Sequence, residues 1–255
     1  MIIDSHAHLT ETVTVMRMGG TIDTQGCMEH QRLIGCDAVI QSAAEGEHYA
    51  REAIRLYEQT EGRVFSLFMY NPTKIEESLE AMDKYCDHPA FVGVKIHPSD
   101  HFVPAEDERY IPVWEWAKTH DMSIMSHTWA ATANPRQAYA TPDRFEDFIK
   151  AYPEVDFVFG HSGGRVNGIK LAVDIGRKYK NTYYDLAGDV YNRGVIEYIC
   201  KNIGTDRLMI GSDIYWFDLT VPMGMVMGAD ISLKEKELIM GGTAQKLYLT
   251  RKKER

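Results

Sequence analysis

Asp4-Ser5-His6-Ala7-His8 follows an apolar opening, Met1-Ile2-Ile3, and reads as the end of a buried strand. Side chains along a strand alternate between faces, so Asp4, His6 and His8 are expected on one side and Ser5 and Ala7 on the other. Two imidazoles spaced this way on a rigid strand can approach one zinc-like ion from the same side. The stretch would serve equally as an ordinary polar strand end, and the rest of the chain decides between the two.

Working outward, seven more apolar runs read as strands: Ala38 to Ile40, Val64 to Met69, Phe91 to His97, Ser123 to His127, Phe157 to Phe159, Tyr183 to Ala187 and Leu208 to Asp213. Between them, apolar residues recur at helical spacing, as in Ala50, Ile54 and Tyr57, then Ile75, Leu79, Met82 and Cys86. The same holds for Phe145, Phe148, Ile149 and Tyr152, for Ile169, Ala172 and Val173, and for Val195, Tyr198 and Ile199. Shorter helical pieces are expected around Met28 to Ile34 and Pro112 to Thr119. Thr73 to Glu76 and Ser232 to Glu235 have the form of capping boxes, and Thr141-Pro142 that of a helix start. Two short C-terminal helices should break at Gly241-Gly242. Eight strands alternating with helices in 255 residues point to an α/β fold, a single-domain (β/α)8 TIM barrel over residues 1–255. Two long polar stretches, Thr10 to Gly26 and Thr128 to Thr141, are expected to be functional loops.

Composition narrows the function. A net charge of −9 argues against a nucleic-acid partner. No apolar run is long enough to cross a bilayer, and the opening lacks the pattern of a signal peptide. Cys27, Cys36, Cys86 and Cys200 are scattered, which makes neither a disulfide framework nor a cysteine zinc site. A reducing cytoplasm is the expected location and a small molecule the expected partner. Whether the chain forms a homo-oligomer is left open.

In barrels of this kind the chemistry sits at the C-terminal ends of the strands. His6 and His8 end the first strand, His127 the fifth, His161 the sixth and Asp213 the eighth, so these residues can converge on one mouth. Together they make a good site for zinc or a similar ion. Lys95 and His97 share a face at the end of the fourth strand. His30, His48, His88, His101 and His120 fall in helices or loops and are expected to be solvated. Singly, each strand-end residue also has a plain reading: His127 as a hydrogen-bonded core histidine, Gly160-His161-Ser162-Gly163-Gly164 as a glycine turn, Asp213 as a cap.

DSHAH at the start, VGVKIHP on strand four, SHT on strand five, GHSGG on strand six and IGSD on strand eight, with GGTAQKLY near the end, resemble the amidohydrolase superfamily of metal-dependent hydrolases. The similarity is closest to its compact branch, which includes aminocarboxymuconate-semialdehyde decarboxylase-like proteins. Thr243 departs from that branch, which usually carries Asn there. The resemblance implies one divalent metal, zinc by preference with manganese, iron or nickel as options. It implies His6, His8 and His127 as metal ligands, Asp213 as a further ligand or proton acceptor, and His161 as general acid/base. Asp4 is either a direct ligand or a group orienting one. Lys95 is either carboxylated between two metals or, beside one metal, a substrate contact with His97 or a buried charge paired with a carboxylate; one metal is expected.

Three functions follow. The first is a hydrolase whose metal-activated water cleaves an amide, ester or lactone. The second is a non-hydrolytic decarboxylase, a carboxy-lyase of a planar or aromatic carboxylate. Trp129, Tyr139, Tyr215 and Trp216 would suit a planar substrate, and Arg17, Arg109 or Arg136 would grip a carboxylate. The third, a catalytically silent binding or scaffold barrel, predicts missing ligands, and none of the set is missing.

Overall fold

Every expected strand is present in the computed structural model, which describes residues 1–9, 14–15, 20–21, 23–130 and 134–250. They are β1 Ile3–Ala7, β2 Ala38–Glu45, β3 Val64–Tyr70, β4 Phe91–Ile96, β5 Ser123–His127, β6 Phe157–Gly160, β7 Thr182–Asp185 and β8 Leu208–Met209. Each strand pairs in parallel with the next in the chain, from β1 through to β8. The helices are α1 Thr24–Leu33, α2 Glu47–Gln59, α3 Ile75–Tyr85, the short α4 Pro98–His101, α5 Ile111–Thr119, α6 Glu146–Ala151, α7 Val166–Lys178, α8 Val195–Ile203, α9 Thr220–Gly228 and α10 Leu233–Glu237. The chain is a (β/α)8 barrel.

Two apolar layers follow from strand alternation. One side of the strands meets the helices in the larger core, which holds Val39, Phe68, Phe91, Val94, Trp114 and Phe157. The other side fills the barrel with Ile3, Ile40, Leu67, Val92, Met125 and Val158, joined by Leu247 and Tyr248 from the C-terminal segment. With the interior packed in this way, the open end at the strand C-termini is left for polar side chains.

Closure of the barrel departs from the simple strand pattern. The eighth strand was expected to run to Asp213, but the ladder with β7 stops at Met209. Beyond it the chain pairs with β1: Ser5 N donates to Ile210 O (3.0 Å), Asp213 N to His6 O (2.8 Å) and His8 N to Ile214 O (2.7 Å). Asp4 completes the seam. Its Oδ1 accepts from Ser212 N (2.8 Å) and His6 N (3.2 Å), and its Oδ2 from Ser212 Oγ (2.6 Å) and Gln31 Nε2 of α1 (2.7 Å).

The expectation that Asp4 shares a face with His6 and His8 is therefore corrected. The β1–β2 register shifts between Asp4 and Ala7, which breaks the alternation, and Asp4 turns away from the barrel mouth. Burial pushes its carboxyl up to about 6 against four donors that hold it down.

Three local expectations also change. Ser232 and Glu235 do form a capping box. The one expected at Thr73 does not form, because α3 starts after Lys74 and the Thr73 hydroxyl donates instead to Asn71 Oδ1 (2.7 Å). Gly241-Gly242 does not break the C-terminal helix, whose turns continue through Leu238–Gly242 with a wider, π-type spacing. Gly241 is needed for close approach, since a Cβ there would lie 2.5 Å from Met1 O. His101 is not solvated. Its side chain is 8% exposed and its Nε2 lies 2.7 Å from Glu45 Oε1.

Replacing Asp4 with Ala should strand several buried donors at the seam, each worth about 1–3 kcal/mol. Urea unfolding should show a loss of at least about 3 kcal/mol, and Asp4→Asn, which keeps one acceptor oxygen, a clearly smaller loss. Equal losses in the two variants would mean that the acceptor role of Asp4 does not hold the seam.

Candidate active site

At the C-terminal mouth a cavity of about 770 Å³ is lined by His6, His8, Lys95, His97, His127, His161 and Asp213. Every residue expected at the site therefore faces one space. β1 delivers His6 and His8, and the seam with β1 sets Asp213 beside them. His8 Nε2 lies 3.1 Å from Asp213 Oδ1, and His6 Nε2 lies 3.9 Å from the same oxygen. The His6 ring is 4.8 Å from that of His161, centre to centre.

Close packing around His6 requires glycine on both sides. A Cβ on Gly211 would come within 2.8 Å of His6 Cβ, and one on Gly160 would lie 2.6 Å from Ser126 O and 3.3 Å from His6 Cε1. His161 and Asp213 both adopt left-handed backbone, with φ of 61° and 62°. Such a conformation in a residue other than glycine is strained and persists only where the surroundings hold it.

His6 is gripped at both nitrogens. Its Nδ1 is 3.0 Å from Asp185 Oδ2 and its Nε2 is 3.0 Å from Lys95 Nζ. Asp185 is not among the residues expected at the site; it lies inside the expected strand Tyr183 to Ala187, and a lone carboxylate in that apolar run was the available signal. His161 Nδ1 lies 3.1 Å from Ala187 O. His127 Nε2 contacts Gln137 Oε1 at 2.9 Å. The His97 and His127 rings stack 4.4 Å apart at 8°, and Trp129 continues the stack 5.9 Å from His127 at 4°.

Burial dominates the charge states. It pushes the His6 imidazole well below its usual range, helped by Lys95 and His161. It pushes His127 down to about 3, again with His161 contributing, and Lys95 down to about 8 against the pull of Asp185 and Asp213. Burial raises the Asp185 carboxyl, with His161 and Lys95 opposing it. For Asp213 burial is outweighed by the His8 hydrogen bond and the nearby imidazoles, and its carboxyl is held well below the usual range.

Of the residues considered for substrate contact, Trp129, Arg136 and Trp216 line the cavity. Arg165 also lines it, lying 2.6 Å from Asp189 and over the Trp129 ring. Tyr139 does not line it. Arg109 is taken up by Asp107 (2.7 Å), and the Tyr215 hydroxyl donates to Leu9 O (3.0 Å). Arg17 lies outside the described residues.

One donor atom from each of His6, His161 and Asp213 falls within 4.8 Å of the others. Imidazole nitrogens and a carboxylate, with His6 in its neutral form, fit a divalent transition ion. The cluster includes His161, whereas the resemblance implied His127 in the ligand set.

A family model described as amidohydrolase matches residues 3–249. The chain belongs to the amidohydrolase family. No curated protein matches its sequence. Among solved structures, an uncharacterised TIM-barrel protein of Bordetella bronchiseptica superposes with a TM-score of 0.80 at 13% identity, over 100% of this chain and 99% of that one. The 5-carboxyvanillate decarboxylase of Sphingomonas paucimobilis gives 0.74 at 14% identity, over 97% and 98%. A dihydroxybenzoic acid decarboxylase of Polaromonas, with bound manganese and the inhibitor 2-nitroresorcinol, gives 0.70 at 15% identity, over 96% of each chain. At these identities the likeness is one of fold.

The buried lysine of this amidohydrolase gives a test of the site's electrostatics. Its folded pKa lies below the unfolded 10.5, so the charged form costs stability below about pH 8 and the cost fades as pH rises toward 10.5. In chelator-treated protein Lys95→Met should raise unfolding stability at pH 7 by about 1–3 kcal/mol, and by less at pH 10. A destabilised variant at pH 7 would mean that the hydrogen bond to His6 outweighs the burial of charge.

Proposed function

We propose that this amidohydrolase is a metal-dependent carboxy-lyase that releases carbon dioxide from a planar, aromatic carboxylate. The observation that carries the reading is the cavity wall. His97, His127 and Trp129 line it as a stack of near-parallel rings, and Lys95, Arg136 and Arg165 line the same space. A stack of rings at the cavity can extend onto a planar ring, and the cations suit its acid group. Support comes also from the similar structures that are decarboxylases, one of them holding manganese.

His6, His8 and Asp213 would hold the ion, with His127 as the fourth donor. When bound, it would supply Lewis-acid charge for the substrate's oxygens. The protein's own residues do the rest. Lys95 offers positive charge at the cavity floor to an anionic group, and the ring wall orients the substrate plane. His161, anchored through Nδ1 to Ala187 O, hands a proton to the ring carbon bearing the carboxylate. The bond from that carbon to the carboxylate then breaks, its electron pair returns to the ring, and carbon dioxide leaves. Solvent returns the proton to His161.

Hydrolysis of an amide, ester or lactone is the second reading, favoured by the description of the matching family. There His161 or Asp213 would take a proton from water and give it to the leaving group.

The test is metal analysis of the purified protein followed by turnover on aromatic carboxylates, lactones and amides. Carbon dioxide release without consumption of water supports the lyase; acid and alcohol or amine products overturn it in favour of the hydrolase. His161→Asn should keep the metal and lose about 10²–10⁴-fold in rate. Loss of metal in that variant would make His161 a ligand and His127 the spare imidazole.

A further inference from the structure

We propose that Asp185 is the positioning residue of this site: one carboxylate oxygen sets the tautomer of His6, and the other holds the left-handed turn that carries His161. The inference rests on the reading of His6 as a metal donor, but its main measurement needs neither metal nor turnover.

Asp185 ends β7 and is completely buried. Its Oδ2 lies 3.0 Å from His6 Nδ1. A carboxylate only accepts, so the shared proton sits on Nδ1 and Nε2 is left with a lone pair and no proton. The opposite side of the ring agrees independently. Lys95 Nζ, which has protons to give, lies 3.0 Å from Nε2. The unprotonated Nε2, which accepts from Lys95 here, lies 3.9 Å from Asp213 Oδ1. The tautomer imposed by Asp185 is thus the one that leaves a donor nitrogen facing the carboxylate of the cluster.

The second oxygen works on the sixth strand's turn. Oδ1 accepts from His161 N at 2.8 Å and from Ala187 N at 3.0 Å, and the backbone carbonyl of Asp185 accepts from Ser162 Oγ at 2.6 Å. These bonds hold His161 and Ser162 at φ of 61° and 50°, a conformation side-chain-bearing residues avoid. Ala187, tied to the same oxygen, presents its carbonyl to His161 Nδ1 at 3.1 Å. One buried carboxylate therefore aims two imidazoles from different strands.

Asparagine separates this role from a merely structural one. Its single oxygen can serve the His161 and Ala187 N–H groups, which turns its amide N–H toward His6 Nδ1. That nitrogen must then accept, and the His6 proton moves to Nε2 once Lys95→Met has removed the competing donor on that side. In metal-free protein, nitrogen-15 NMR of the His6 ring should read Nδ1–H in the unmodified chain, in Lys95→Met and in Asp185→Glu, and Nε2–H when Asp185→Asn is added to Lys95→Met. Asp185→Asn should also bind zinc or manganese about 10–100-fold more weakly, with Asp185→Glu in between. Nε2–H in the unmodified chain overturns the proposal without any variant, even if Asp185→Asn fails to fold. So does a folded Lys95→Met, Asp185→Asn protein that keeps Nδ1–H, together with unchanged metal affinity in Asp185→Asn. If the tautomers come out as stated while no carbon dioxide is released from any carboxylate, the lyase reading fails and the role of Asp185 stands.

Discussion

The seam between β1 and the segment after β8 is the constraint on which the rest of the molecule depends. An eight-stranded parallel sheet becomes a barrel only if its first and last strands meet, and here the last strand is just two residues long. The meeting is made instead by backbone bonds from Ser5, His8 and Asp213, and by a buried Asp4 that accepts four hydrogen bonds. Closure and the candidate site share this line. The same bonds that shut the barrel bring Asp213 within 3.1 Å of His8.

The site is costly to assemble. Lys95, Asp185 and His6 are all essentially buried, and none would choose that environment alone. They are tolerated because they satisfy one another in a chain from Asp185 through the His6 ring to Lys95. Burial keeps His6 and His127 neutral, the form in which an imidazole can donate to a cation or polarise a substrate. A packed, apolar lower barrel around Leu67, Met125, Val158 and Tyr248 gives this polar layer a rigid base.

The fold was legible because eight apolar runs alternated with helical periodicity over the whole chain, and both signals are local. The candidate site was legible for the same reason, since His6, His8, His127, His161 and Asp213 stand at or just beyond the ends of such runs. Contacts that depend on partners far along the chain were not. Asp4 was grouped with the histidines because strand alternation was assumed to be unbroken, and a register shift moved it to the seam. Asp185 lies inside the expected strand Tyr183 to Ala187, and nothing local ties it to the turn of His161 whose N–H it accepts. His101 looked like a solvated helix residue until Glu45 was found across from it.

Periodicity, strand-end chemistry and the order of the motifs by themselves determined a barrel of this family and the set of residues at its mouth. They do so because the side-chain period and the end of a strand are properties of a few consecutive residues. Only the tertiary structure decided which of those residues touch: that Asp213 faces His8, that His6 lies between Asp185 and Lys95, and that His97, His127 and Trp129 share one stack. The angle and register at which the strands close the barrel set these contacts, and both arise from packing across the whole sheet rather than from any single stretch of chain.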